Sequence, residues 1–370
     1  MRLNSLSALV GIALLGASLG GCGSSYYWQA SMGHLKLMNQ RRPVADIVSD
    51  PTTPESVRAK LDVATVALGF AHATLGLPEN GSYTSYADTG RSYVVWNVVA
   101  APEFALQPRT WCFPVAGCVS YRGYFDATRA QAFADGLAVE GDDTFVGGVA
   151  AYSTLGRFED PLLNTMIDYS DTQLAGLIFH ELAHQLLYVQ DDSAFNEGFA
   201  SFVEQHGVRR WLDARAGAAE SCRYVRLLDR RAAVVGLLTD YRSRLDALYA
   251  QDMGAAEMRA IKATVFAELL VAYRDLRGEW PEPPYFDRWF DGELNNARLV
   301  ALATYDDYVP AFAVLFADAN KVLDEFYQRA FELAQLETEE RGAAMRELGA
   351  RATGVKTADC PRVDPVGEAR

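Results

Sequence analysis

Residues 180 to 184 read His-Glu-Leu-Ala-His, and Asn196-Glu197-Gly198-Phe199-Ala200 follows beyond a short polar break. Side chains four apart on a helix share a face, so His180 and His184 can aim imidazole nitrogens at one ion. Glu181 stands one step round the helix, where its carboxylate reaches a water beside the ion rather than the ion itself. A carboxylate so placed suits general-base work. Paired imidazoles suit zinc, whose catalytic sites take three protein ligands and leave a fourth position open. With only five histidines in 370 residues, chance is a poor explanation of this spacing.

The elements that must hold these residues can be read from the flanking pattern. Asp171-Thr172 offers a cap before Leu174, Leu177, Ile178, Leu182, Leu186 and Leu187, an apolar stripe at helical spacing that puts the motif in mid-helix. Asp191-Asp192-Ser193 breaks that helix. Phe195 to Trp211 then reads as a second one, with Phe199, Phe202, Val203 and Val208 on one side. An antiparallel return brings Glu197 back beside His184 and makes it the first choice for third ligand. Glu204, two turns further along, is either the partner that holds a ligand imidazole or the ligand itself. His206 reads as a surface or core histidine.

HELAHQ followed by NEGFA resembles the gluzincin metallopeptidases, in which the glutamate of the second motif completes the zinc site. Twelve residues separate His184 from Glu197, fewer than in the large aminopeptidases and the thermolysin-like enzymes. The chain is more similar to a bacterial family of predicted zinc aminopeptidases that are also lipoproteins. That similarity takes in WCFPVAGCVSYRGYFD at 111–126, GGVAAYSTLG at 147–156 and LNNARL at 294–299. The resemblance implies one Zn2+ on His180, His184 and Glu197, and an aminopeptidase hydrolysing peptides in the cell envelope. In the mechanism it implies, zinc-bound water attacks the scissile carbonyl with Glu181 as general base.

The resemblance further implies a tyrosine or histidine from the C-terminal lobe at the oxyanion, for which Tyr305 is the first choice and Tyr188 the second. It implies a peptide lying as an added strand along a sheet edge, for which the glycine-rich stretch 147–152 is the candidate. Asn295 and Asn296 are candidate donors to the substrate. An aminopeptidase also needs a carboxylate for the free α-ammonium, and Glu159, Asp160 and Glu204 are available. A zinc endopeptidase and a non-catalytic zinc-binding scaffold lipoprotein stand as alternatives, the second weakened by the intact Glu181.

Arg2 precedes an apolar run from Leu6 to Leu19, too short to span a bilayer comfortably. Leu19-Gly20-Gly21-Cys22 resembles a bacterial lipobox, which implies a signal peptide over 1–21 and a lipid on Cys22. Gly23 rather than aspartate follows, which points to the outer membrane, facing the periplasm. Of the four remaining cysteines, Cys112 with Cys118 and Cys222 with Cys360 is the simplest pairing for an oxidising compartment. The formal net charge of −14 argues against nucleic acid and against electrostatic adhesion to anionic lipid.

The fold class expected is α+β and mainly helical, with a gluzincin-like zinc-helix core, a small β-sheet and a helical C-terminal lobe. Helices are expected over Val57–Leu75, Asp126–Leu137, 220–250, 255–278 and one long stretch near 311–350, with strands over Tyr93–Ala100 and Phe145–Tyr152. One metallopeptidase domain is expected over 22–355, with a lobe break near 280–285 at Trp280-Pro281-Glu282-Pro283-Pro284 and a tail over 356–370.

Overall fold

The computed structural model describes residues 22–113, 117–215, 217–280, 286–303 and 308–352. In chain order these form α1 (Cys22–Asn39), β1 (Arg42–Pro43), α2 (Val44–Ser49), α3 (Glu55–Leu75), β2 (Ser85–Ala87), β3 (Val95–Pro102), β4 (Trp111–Phe113), β5 (Gly117–Val119), β6 (Arg122–Tyr124), α4 (Ala127–Val139), β7 (Asp142–Val149) and β8 (Leu162–Leu163). Helices then take over: α5 (Asn164–Ile167), α6 (Asp171–Leu186), α7 (Ser193–Arg215), α8 (Ala218–Tyr249), α9 (Ala255–Gly278), α10 (Asp287–Phe290), α11 (Asn296–Ala303), α12 (Val309–Asp318), α13 (Leu323–Ala334) and α14 (Thr338–Arg351). The expected class, mainly helical α+β with small sheets, is what is found.

Strand β3 lies between β6 and β7, antiparallel to both. Because side chains alternate along a strand, Val98 and Ala100 pack against Ala130, Ala134 and Leu137 of α4. Val99 and Ala101 face the other way, into a cluster with Leu269 and Tyr273 of α9, Phe290 of α10 and Val300 of α11. Residues on both sides of 281–285 thus share one apolar cluster, while the expected break itself lies outside the described residues. The largest core gathers α3, α6, α7, α12 and α13 around Leu61, Phe179, Phe195, Phe199, Phe312 and Phe326, all fully buried.

Departures from the expected elements have local causes. Ser170, not Asp171, caps α6: its hydroxyl accepts from the Gln173 N–H while the Gln173 side chain accepts from the Ser170 N–H. The stretch expected to be continuous near 311–350 is three helices, because Asn320 and Lys321 take φ of 53° and 62° and turn the chain between α12 and α13. Cys112 and Cys118 form the expected disulfide across the β4–β5 hairpin. Cys222 is also disulfide-bonded, and Cys360 lies outside the described residues.

One buried ion pair ties the last helix to the loop after α6. Arg341 of α14 donates from Nε to Asp192 Oδ2 at 2.7 Å and from a terminal nitrogen to the Leu336 carbonyl at 2.6 Å. Both partners are largely withdrawn from water. Removing one member leaves the other charge buried and uncompensated, so Arg341→Met is expected to cost about 3 kcal/mol of stability. Chemical denaturation of wild type and variant measures it, and a loss within about 0.5 kcal/mol would show that Asp192 is well hydrated instead.

Candidate metal centre

Helices α6 and α7 lie antiparallel, and the close approach depends on small residues. A Cβ at Gly176 on α6 would stand 3.2 Å from Glu204 Oε1 and 3.3 Å from Val208, both on α7. A Cβ at Gly198 would stand 2.8 Å from the Cβ of Tyr308 just before α12, which accounts for the glycine of the second motif. The asparagine of that motif is equally explicable. Buried Asn196 donates to the Val189 carbonyl at 2.7 Å and accepts the Val189 N–H at 2.8 Å, stapling the inter-helix loop onto the start of α7. Asp192 accepts the Phe195 N–H as well as the Arg341 guanidinium. Glu197 therefore projects from a first turn fixed at several points.

His180, His184 and Glu197 come together, as the motif spacing predicts. The two Nε2 atoms are 3.1 Å apart. Glu197 Oε2 lies 3.4 Å from His180 Nε2, and Oε1 lies 3.7 Å from His184 Nε2. Ligand atoms about 2.1 Å from a tetrahedral zinc stand about 3.4 Å from one another, so this triangle has the right size. Its chemistry also fits. Glu204 Oε2 lies 3.1 Å from His180 Nδ1, and since an ionised carboxylate only accepts, Nδ1 carries the proton and Nε2 offers a lone pair. Glu197 Oε2 is buried with no hydrogen-bond partner. The two imidazole nitrogens and the Glu197 carboxylate face one point, where a cation would complete them. These three residues could hold a metal ion.

The electrostatics agree. Burial works against charge on His180, but hydrogen bonds and charges from Glu197 and Glu204 outweigh it and lift the imidazole pKa well above its ordinary value. Burial would push Glu197 up, yet His184 and His180 hold it far below the usual carboxylate range. Glu204 is likewise opposed by burial and held low by His180. Glu197 and Glu204 thus present negative charge to both nitrogens of the His180 ring.

Of the two candidates for third ligand, Glu197 faces both imidazoles, while Glu204 lies against the far nitrogen of one. His206 is a core histidine, stacked on Phe202 and packed on Phe316, its pKa lowered to about 4 by burial and then by Arg210 and Arg209. Glu181 is half-buried beside the ligands, and Tyr188 sets its ring 6.4 Å from that of His184. Tyr305 lies outside the described residues.

The expected substrate contacts fare differently. Asn295 donates to the Thr144 carbonyl on β7 and caps α11 through the Arg298 N–H. Fully buried Asn296 donates toward the carbonyls of Pro102, Glu103 and Ala105 and accepts the Tyr249 hydroxyl. Both amides are spent on the scaffold, so neither is available as a substrate donor. Asp160 is fully buried and accepts the Thr154 N–H and hydroxyl, its pKa raised to about 6 mainly by burial. Glu159 sits near Arg41 at the surface. The glycine-rich strand exists as β7, paired on one side with β3 and, among the described residues, with no strand on the other.

The residue that sequence reasoning missed is Tyr121, between β5 and β6. The disulfide-closed hairpin docks on the loop between the ligand helices, where the Cys118 N–H donates to the Asp191 carboxylate. Tyr121 follows three residues later. Although 36% of it is exposed, burial of the hydroxyl, and then the charges of Glu197 and, after Tyr188, Glu181, raise its pKa, so it keeps its proton. No motif marks it; the only signal was the disulfide loop beside it.

The profile of a family described as "Putative aminopeptidase" matches residues 25–345, a span that includes α6, α7 and every residue of this centre. No curated protein and no solved structure matches. A match over most of the chain, on a fold whose two ligand helices form its centre, places the protein in that putative aminopeptidase family.

Proposed function

We propose that the protein is a zinc-dependent aminopeptidase of the gluzincin type, acting on peptides in a bacterial cell envelope and held there by a lipid on Cys22, at the outer membrane facing the periplasm. The observation that carries the catalytic part is the triangle of His180 Nε2, His184 Nε2 and a Glu197 oxygen, sized for a tetrahedral ion and lined with buried acceptors. Zinc bound there supplies a Lewis acid that activates water and polarises a carbonyl. Family membership supports peptide as the substrate class. Cys22, the first residue of α1, and the lipobox before it support the anchor.

The protein's own groups divide the remaining work. Glu181 stands on the same helix as both imidazoles and takes the proton from the attacking water, then delivers it to the leaving amine. Glu204 keeps the His180 ring oriented and its proton on Nδ1. Tyr121, protonated and close enough to feel both Glu181 and Glu197, donates a hydrogen bond to the oxygen that gains charge as the carbonyl is attacked. This assigns to the hairpin segment the role first expected of Tyr305.

A second reading, the endopeptidase, draws support from the three carboxylates considered for the α-ammonium. Glu204 is engaged by His180, Asp160 is buried among its own partners and Glu159 lies at the surface. Cleavage of aminoacyl substrates against internally quenched, N-blocked peptides distinguishes the two.

Three outcomes test the mechanism. Glu181→Gln should retain stoichiometric zinc by elemental analysis and lose at least about a thousandfold in kcat; zinc retained with full activity would remove Glu181 from the chemistry. Glu197→Gln should lose zinc outright, whereas Glu204→Gln should weaken zinc binding by about 10- to 100-fold in a chelator competition; the reverse order would exchange their roles. Tyr121→Phe should lower kcat by about 10²-fold with zinc content and KM little changed, and a purely structural residue would not give that split.

A further inference from the structure

Helix α1 is clamped to the body by one face. Gln29 accepts the Phe125 N–H and donates to the Gly123 carbonyl, Tyr26 packs under the Arg122 guanidinium and against Tyr124, and Leu37 is buried in the main core. The opposite face is apolar as well. Trp28, Met32 and Leu35, at i, i+4 and i+7, form one outward ridge, and they are 68%, 46% and 52% exposed. Tyr27 flanks the ridge at 48% exposure, and Phe158, also exposed, sets its ring 4.8 Å from that of His34 on the same helix. No other described element exposes as many large apolar side chains; elsewhere they are mostly scattered.

Charge sets this segment apart from the rest of the chain. The protein has 48 acidic residues, yet the first is Asp46, and the stretch before it carries Arg2, Lys36, Arg41 and Arg42. Lys36 is exposed beside the ridge, placed to let its stem cover apolar surface while the ammonium reaches water. The apolar run Leu6–Leu19 comes shortly before α1 in the sequence, and Cys22 is the first residue of the helix. No helix among the described residues is long and apolar enough to cross a membrane, so any contact of α1 with lipid is peripheral.

We propose that the outer face of α1 is a membrane-seating surface that lies in the interface of a phospholipid bilayer, with Trp28, Met32 and Leu35 entering the headgroup and acyl boundary. Tryptophan and tyrosine favour that boundary because each presents an apolar ring with a polar handle. A lipid on Cys22 tethers the protein but does not fix its tilt, and an apolar helix face beside it supplies a second attachment. The acid-free N-terminal stretch keeps the repelling charge of the acidic body away from the lipid surface. The lipid-anchor reading of Cys22 places the helix at the membrane; the apolar face is an independent observation.

The test uses the chain from residue 22 to its end with Cys22→Ser, so that no acyl group contributes, and co-sedimentation with vesicles of phosphatidylethanolamine and phosphatidylglycerol. The unacylated protein should partition onto the vesicles, and W28S/L35S should partition at least about tenfold less. L35E should weaken binding too, which guards against a fault peculiar to the double variant. Peptide hydrolysis in solution should be the same for all of them, so failure of the peptidase reading is separately visible. An unacylated protein that stays in the supernatant, one that self-associates without binding vesicles, or variants that bind as well as the parent would each overturn the proposal.

Discussion

Two imidazole nitrogens and a carboxylate are packed against one another, 3.1 to 3.7 Å apart, and the surrounding structure is arranged to keep them there. Left alone, such atoms would separate or take up protons. They stay together because α6 and α7 are held close by small residues at their contact and because the six-residue loop joining them is fastened at each part. Asn196 fixes its middle at Val189, Arg341 neutralises Asp192, and the hairpin amide of Cys118 satisfies Asp191. Each of those fastenings comes from a different region of the chain, so the geometry of the centre is a property of the whole core.

Buried polar groups in this protein therefore fall into two kinds. Asn296, Lys262 and Asp143 are satisfied by one another and by backbone carbonyls, and they lock β3 and β7 to α9 and α11. Satisfied networks of this sort specify a unique packing and leave no capacity for chemistry. Glu197 Oε2 and His184 Nδ1 are buried without partners. Other buried groups without partners are spread over the protein, but these two belong to side chains that approach to 3.7 Å, which marks a place suited to binding.

The hairpin β4–β5 connects the two parts of the molecule. Its disulfide closes a loop whose backbone docks on the ligand loop, and the chain leaves it directly into Tyr121 and then β6, the outer strand of the sheet. The sheet, held by α4 on one face and α9 and α11 on the other, thereby helps to position Tyr121, whose hydroxyl feels the charges of Glu197 and Glu181. On its far side the same sheet region carries α1 through Tyr26 and Gln29, so the orientation of the site relative to α1 is fixed as well.

The spacing of His180, Glu181 and His184 determined by itself that one helix face would carry two imidazoles with a carboxylate one step round, because helical periodicity is local. The Asn-Glu-Gly run placed Glu197 for a similar reason, a short break and an antiparallel return. Helix positions along α3, α4, α8 and α9 were legible from apolar periodicity, whereas the breaks after α12 and α13 were hidden, the first because amphipathic pattern continues across a turn made by Asn320 and Lys321. Tertiary structure alone decided that Glu204 meets the far nitrogen of His180 while Glu197 faces both imidazoles, that Asn295 and Asn296 belong to the scaffold, and that Tyr121 comes near enough to feel the charges of Glu197 and Glu181. Those assignments depend on which groups meet across separations of dozens to hundreds of residues, and one-dimensional spacing carries no information about such encounters.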